Sequence, residues 1–179
     1  MRTARYPCQE RLVNQRRSFP RLLFATAFVV PLLLLGFGAI LTTFYHVAAC
    51  PLCIVQRLLY LMVSLAALGG LIWYRSRQLT IASAIAVFAV SAGGAGVAGY
   101  QKYLQLHPFT ATCGDGSSWW ERLVAWLGNL LPILFKAEGL CSDDTWSLFG
   151  LSIVDWSLAA FVGLALLAVL ALLFRQIRT

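Results

Sequence analysis

Cys50-Pro51-Leu52-Cys53 sets two thiols three residues apart, and Arg57 follows Cys53 by four. That spacing brings the sulfurs within bridging range when the pair opens a helix, and Pro51 then takes an early helical position where its missing N–H costs nothing. Thiols at a helix N-terminus feel the positive end of the helix dipole, which favours the thiolate, the reactive form. Arg57, at i+4 from Cys53, projects from the same helix face and adds positive charge. The competing reading is an arginine that snorkels toward lipid headgroups. The chemistry implied is thiol–disulfide exchange.

Two further cysteines, Cys113 and Cys141, stand in the chain's long polar stretch with 27 residues between them. Cys113 lies in Thr110-Ala111-Thr112-Cys113-Gly114-Asp115-Gly116, and Cys141 in a turn with Glu138, Gly139, Ser142, Asp143 and Asp144. A disulfide closing that loop would by itself be a staple worth about 3 kcal/mol. Beside a C-x-x-C pair, exchange between the two pairs is the sharper expectation. Zinc is the other use of four cysteines, but structural zinc sites gather two close-spaced pairs and only Cys50 and Cys53 are close, so no metal is expected. His46 and His107 are isolated, and no H-E-x-x-H, nucleophile elbow, phosphate-binding P-loop or paired catalytic carboxylate is present.

The elements that must position these residues are membrane helices. The 179-residue chain is 60% apolar and 12% charged, with a mean hydropathy of +0.76. Uncharged apolar runs cover Leu22 to Tyr45, Leu58 to Tyr74, Gln78 to Gln101 and Trp156 to Phe174, each near the roughly 20 residues a spanning helix needs. The expected architecture is a single all-α membrane domain over 1–179. It comprises a basic tail over 1–20, four spans at about 22–45, 52–74, 78–103 and 153–174, and a loop over 104–152. Within that loop Trp119, Trp120, Leu123, Val124, Trp126, Leu127, Leu130 and Leu131 recur at helical spacing, which predicts a short helix lying along the membrane interface and ended or bent by Pro132.

The net charge of +7 is distributed for membrane orientation, not for nucleic acid. Arg2, Arg5, Arg11, Arg16, Arg17 and Arg21 precede the first span, Arg75 and Arg77 fill the second connection, and Arg175 and Arg178 follow the last span. Apart from Glu10 in the tail, the acidic residues Asp115, Glu121, Glu138, Asp143, Asp144 and Asp155 fall on the other face or at its edge. The positive-inside rule then places both termini in the cytoplasm and Cys50, Cys53, Cys113 and Cys141 outside, where disulfides persist. Cys8 stays inside with the tail, apart from the working set. Val47-Ala48-Ala49-Cys50 has the look of a lipoprotein cleavage box. The preceding run, however, exceeds the about 7 to 15 residues of a signal core, and a second apolar helix follows, so the first span is expected to be retained. The third span contains Gly94-Ala95-Gly96-Val97-Ala98-Gly99, a formal G-x-G-x-x-G without a preceding strand, which reads as small residues for close helix packing.

Taken together, four spans, cytoplasmic ends, Cys50 to Arg57 opening the second span and one cysteine pair in the second outer loop resemble the DsbB-type disulfide bond formation proteins of bacterial inner membranes. Leu104-Gln105-Leu106 before a proline, Ala111-Thr112-Cys113 and Trp146 to Gly150 are similar too. The resemblance implies a multi-pass thiol:quinone oxidoreductase, a monomer in the membrane, whose partner is a DsbA-like periplasmic thioredoxin-fold oxidase. Two electrons would enter at a Cys113–Cys141 disulfide, with Cys113 forming the mixed disulfide, and pass to a Cys50–Cys53 disulfide through Cys141 and Cys50. Cys53 would be left as a thiolate beside ubiquinone or menaquinone from the membrane pool. Arg57 matches the family's arginine that assists quinone and thiolate, and Gln105 matches a residue lining the quinone site. A lipid-soluble acceptor suits an oxidising partner, because each 30 mV of mismatch corresponds to about 1.4 kcal/mol for two electrons. The vitamin K epoxide reductase type is related in chemistry, but its loop cysteines precede the C-x-x-C, the reverse of the order here. The reading from a different class is a non-enzymatic membrane scaffold with two structural disulfides.

Overall fold

Four apolar runs become four long helices. The computed structural model describes residues 7–45, 49–74, 76–107, 119–135 and 147–176. Its elements are α1 (Pro7–Phe44), α2 (Pro51–Ile72), α3 (Arg77–Leu106), α4 (Trp119–Leu130), α5 (Pro132–Phe135), β1 (Ser147–Leu148), β2 (Leu151–Ser152) and α6 (Ile153–Gln176). Among the described residues, the stretches long and apolar enough to cross a bilayer are Arg21–Phe44, Pro51–Ile72, Arg77–Leu106 and Ile153–Leu173. The protein is therefore an all-α, multi-pass membrane protein built on four helices, with a short interfacial-type helix and one small hairpin between the third and fourth.

Two boundaries depart from the sequence reading. The basic tail is not a separate element, since α1 runs unbroken from Pro7 through Pro20 and Pro31 to Phe44. Polarity marks where lipid contact stops, whereas Leu, Arg, Gln and Glu all favour helix, so the helix continues past the charge boundary. Each proline removes one backbone hydrogen bond, a loss that helices in a bundle tolerate. At the other end α3 continues to Leu106, where the His107 N–H bonds back to Tyr103 and Leu104 carbonyls. Gln105 accordingly lies on the last turn of a helix and not in a loop.

The core follows a seam of alternating three- and four-residue steps. Gln56, Tyr60, Val63, Ala67 and Gly70 are buried on α2; Thr80, Ala84, Val87, Ser91, Gly94, Ala98 and Gln101 on α3; Val154, Ser157, Phe161, Leu164, Ala168 and Ala171 on α6. This spacing is the signature of knobs-into-holes packing. Phe161 is the centrepiece, fully buried and stacked on Tyr60 with centroids 4.2 Å apart. It lies so close to α3 that a Cβ at Gly94 would stand 2.3 Å from its ring. The small-residue reading of the third span thus holds at Gly94 and Ala98, while Gly93, Gly96 and Gly99 meet no neighbour within 4 Å. A helix turns only one face to its partner. Leu65, Leu106, Leu166 and Phe44 are exposed outward, as a lipid-facing surface requires.

The hairpin before α6 pairs Ser147 with Ser152 and Leu148 with Leu151, and its two central residues, Phe149 and Gly150, have φ of 56° and 77°. Positive φ at both positions is the condition for a tight two-residue hairpin turn. Ser152 then caps α6, its hydroxyl taking the Asp155 N–H at 3.3 Å while Asp155 Oδ2 accepts from the Ser152 N–H at 3.0 Å. This is a reciprocal capping box with Asp in the usual Glu place. Lys102 of α3 donates to the same Oδ2 at 2.7 Å and ties the two helices together.

Candidate active site

The head of α2 is built by its own cysteine. Cys50 is extended (φ −80°, ψ 162°), Pro51 starts the helix, and the Cys50 sulfur accepts the Cys53 N–H at 3.3 Å, the role a Ser or Asp side chain usually takes at a helix start. One interaction therefore both caps the helix and draws the two side chains together. Their sulfurs stand 3.1 Å apart as a dithiol. Cys50 is buried with Leu52 and Leu104, and Cys53 packs partly against the cluster of Ala49, Ile54, Val124 and Phe135, so α3 lies on one side and α4 with α5 on the other. α4 reaches this cluster through Val124 and Leu127 and leaves Leu123, Trp126 and Leu130 exposed.

Gln101 of α3 closes the site from within the bundle. Its Nε2 lies 3.2 Å from the Cys50 sulfur and 3.2 Å from the Cys53 sulfur. Its Oε1 accepts from Gln56 Nε2 at 2.8 Å, Gln56 Oε1 accepts from the Ser157 hydroxyl at 2.6 Å, and Ser157 Oγ meets the Tyr60 hydroxyl at 2.9 Å. All four side chains are buried. Sequence reasoning did not single out this group, although amides and a hydroxyl inside apolar spans are the signal that marks functional positions in membrane helices.

Arg57 is turned into the groove between α1 and α2. Its Nη2 donates to the Gly38 carbonyl at 2.9 Å and to Thr42 Oγ1 at 2.7 Å. The guanidinium passes close to the α1 backbone, where a Cβ at position 38 would stand 3.4 Å from its Nε, an ordinary contact that leaves no space for a larger side chain. The charge is held within the bundle, in Coulombic reach of Cys53 first and Cys50 second, and the side chain does not simply extend along the span. Gln105, one turn beyond Gln101, keeps a buried Oε1 without a hydrogen-bond partner among the described residues. Cys113 and Cys141 lie outside the described residues. Cys8 belongs to the first turn of α1, the end remote from Cys50.

Comparison with known proteins gives the family. The family profile described as Disulfide bond formation protein DsbB matches residues 20–171. The chain is 42% identical over 151 residues to Disulfide bond formation protein B of Dechloromonas aromatica (strain RCB), covering 82% of this chain and 88% of that one. It is 34% identical over 160 residues to the protein of the same name from Azoarcus sp. (strain BH72), covering 88% and 95%. The Aromatoleum aromaticum protein of that name is 36% identical over 151 residues, covering 84% and 90%. Both the profile and the relatives extend over the helices that carry Cys50, Cys53, Arg57 and Gln101, and the chain belongs to the DsbB family of disulfide bond formation proteins.

Proposed function

We propose that the protein is a thiol:quinone oxidoreductase of the bacterial inner membrane that reoxidises a DsbA-like, thioredoxin-fold dithiol partner. The observation that carries this reading is the Cys50–Cys53 pair, with sulfurs 3.1 Å apart at the head of a spanning helix and Arg57 in Coulombic reach. The ten arginines that in the sequence precede the first span, lie between the second and third and follow the last support cytoplasmic termini and a periplasmic thiol site.

The proposed electron path balances in thiols. One thiolate of the partner attacks the Cys113–Cys141 disulfide and forms a mixed disulfide with Cys113, releasing Cys141 as a thiolate. The partner's second thiol displaces Cys113, so the partner leaves oxidised and the loop pair is reduced. Cys141 then attacks Cys50 of the Cys50–Cys53 disulfide and releases the Cys53 thiolate. Cys113 displaces Cys50 from Cys141, restoring the loop disulfide and leaving Cys50 and Cys53 as the dithiol. Arg57 and the start of α2 stabilise the Cys53 thiolate electrostatically.

The residues present fit a quinone, ubiquinone or menaquinone. A neutral ring with two carbonyl oxygens calls for donors, and the Arg57 guanidinium supplies them. Its reduced form carries hydroxyls that call for an acceptor, and Gln105 Oε1 is buried without a partner among the described residues. When bound, a quinone accepts the two electrons and two protons of the dithiol and leaves as the quinol. The test is oxidation of a reduced thioredoxin-fold partner by purified protein. Oxidation should require added quinone and vanish in Cys53→Ser, and oxidation that persists in Cys53→Ser overturns the proposal. A scaffold with structural disulfides would instead hold both pairs oxidised on quinone depletion, a condition in which the oxidase accumulates trappable thiols.

A further inference from the structure

The buried polar group behind the cysteines has a direction. A thiolate only accepts hydrogen bonds, so the Gln101 group facing both sulfurs at 3.2 Å must be its NH2, as found. Its Oε1 must then accept, and Gln56 donates to it at 2.8 Å. Gln56 Oε1 in turn accepts the Ser157 proton at 2.6 Å. Ser157 has then committed its only proton, so across the 2.9 Å contact the Tyr60 hydroxyl is the donor, with the Ser157 carbonyl as a second, longer acceptor at 3.3 Å. Every donor from Tyr60 to Gln101 points toward the sulfurs. Hydrogen bonds aligned head to tail polarise one another, and the last link is charge-assisted whenever a sulfur ionises.

Resting on the thiol-oxidase reading above, we infer that Gln101 is a catalytic residue that stabilises the thiolate on whichever of Cys50 and Cys53 carries it, and that Gln56, Ser157 and Tyr60 are positioning residues that keep its N–H groups turned to the sulfurs. Equal distances suit a site in which the charge must move between the two sulfurs during exchange. Cys50 also takes the Cys53 N–H, and Arg57 lies in Coulombic reach of both sulfurs, Cys53 first. The links of the chain are amides and hydroxyls, none of which is charged at neutral pH. Besides the two cysteines, the charged or titratable side chains described at this end of the bundle are Tyr45 after α1, Arg57 and Tyr60 on α2, Tyr100, Lys102, Tyr103 and His107 on α3, Arg122 on α4 and Asp155 on α6, with Lys102 and Asp155 paired to each other. Apart from Tyr60, the first link, none of these is a link of the chain. A chain placed only to hold the seam in register would serve equally well with its amides reversed.

The test needs neither partner nor quinone. In full-length protein carrying Cys8→Ser, Cys113→Ser and Cys141→Ser, the reduced Cys50/Cys53 pair is alkylated by iodoacetamide across a pH series, which titrates thiolate formation. Gln101→Leu should move the alkylation midpoint to higher pH and slow labelling at neutral pH by about tenfold, the scale of one hydrogen bond to a charged group, with the limiting rate at high pH retained. Gln56→Leu, which touches neither sulfur, should move the midpoint in the same direction by less, and the double variant should move it no further than Gln101→Leu. A midpoint unmoved in Gln101→Leu overturns the assignment, even in a variant whose thermal stability falls, because that pattern belongs to a purely structural seam. Additive shifts overturn the orienting role of Gln56. Either failure leaves quinone-dependent turnover of the wild type untouched, and loss of that turnover would count against the oxidase reading alone.

Discussion

Arg57 reaches across the bundle to the main-chain carbonyl of Gly38, donating from Nη2 at 2.9 Å, and passes so near that a Cβ there would stand 3.4 Å from the guanidinium Nε. Thr42, one turn along α1, accepts from the same nitrogen and itself donates to the Gly38 carbonyl at 2.9 Å. A cation in a spanning helix is thus fixed by two α1 groups. Gly38→Ala should be tolerated, since its Cβ would meet the guanidinium at ordinary contact distance. Gly38→Val should push Arg57 off its carbonyl and lower the rate of quinone reduction by about tenfold, matching the loss of one charged hydrogen bond. Partner oxidation in a single turnover without quinone should stay near wild type. Equal losses in both assays would refute a role confined to the quinone end.

Cys50 has a second task beyond its chemistry, because its sulfur caps α2. Cys50→Ser keeps an acceptor at the cap and should unfold near the wild-type temperature, whereas Cys50→Ala should be destabilised by about 1 kcal/mol, the usual worth of such a cap. Both should lose quinone-dependent oxidation completely. Thermal unfolding of the two variants side by side in one detergent checks the difference, and equal midpoints would show that the sulfur does not hold the helix start.

The legible part of the molecule was set by charge and punctuation. Pro51 and the arginines of the α2–α3 connection mark helix ends that local chemistry alone determines, and Cys50, Cys53 and Arg57 follow from spacing within one helix. What spacing could not reveal is which face of an apolar helix turns inward. Leu65 and Val63 are both apolar, yet one is 68% exposed and the other fully buried, because hydrophobicity does not separate lipid from core. For the same reason Gln101 could not be assigned to the cysteines. The contact joins residues 48 and 51 apart in sequence and exists only once α2 and α3 share a register. The polarity of Gln56, Thr80, Ser91, Gln101 and Ser157 is a trace of the seam that composition retains.

That seam makes a contrast among the glycines of α3. Gly94→Ala would set a methyl 2.3 Å from the Phe161 ring, whereas Gly93→Ala and Gly96→Ala enter open space. The first should destabilise the bundle by about 1 to 3 kcal/mol, the range for overpacking. The other two should be neutral or stabilising by up to about 1 kcal/mol from helix propensity. Phe161→Leu should recover part of the Gly94→Ala loss, although it gives up the stacking on Tyr60. Thermal unfolding of the four variants tests the pattern, and a Gly94→Ala protein as stable as Gly93→Ala would contradict the helix packing described for α3 and α6.

Asp155 and Lys102 form an ion pair whose two partners should not be equally costly to remove. Their side chains are 22% and 34% exposed, so the Coulombic part is screened and worth less than about 1 kcal/mol. Asp155 in addition accepts the Ser152 N–H and hydroxyl, at 3.0 and 2.8 Å, and so holds the start of α6. Lys102→Met removes only the pair and should change stability by a few tenths of a kcal/mol. Asp155→Leu removes pair and cap acceptor together and should cost a further 1 kcal/mol or so. In the Asp155→Leu background Lys102→Met should then have no effect on stability. Unfolding midpoints of the single and double variants measure this cycle, and a Lys102→Met loss as large as that of Asp155→Leu would mean the ion pair, not the capping box, secures α6.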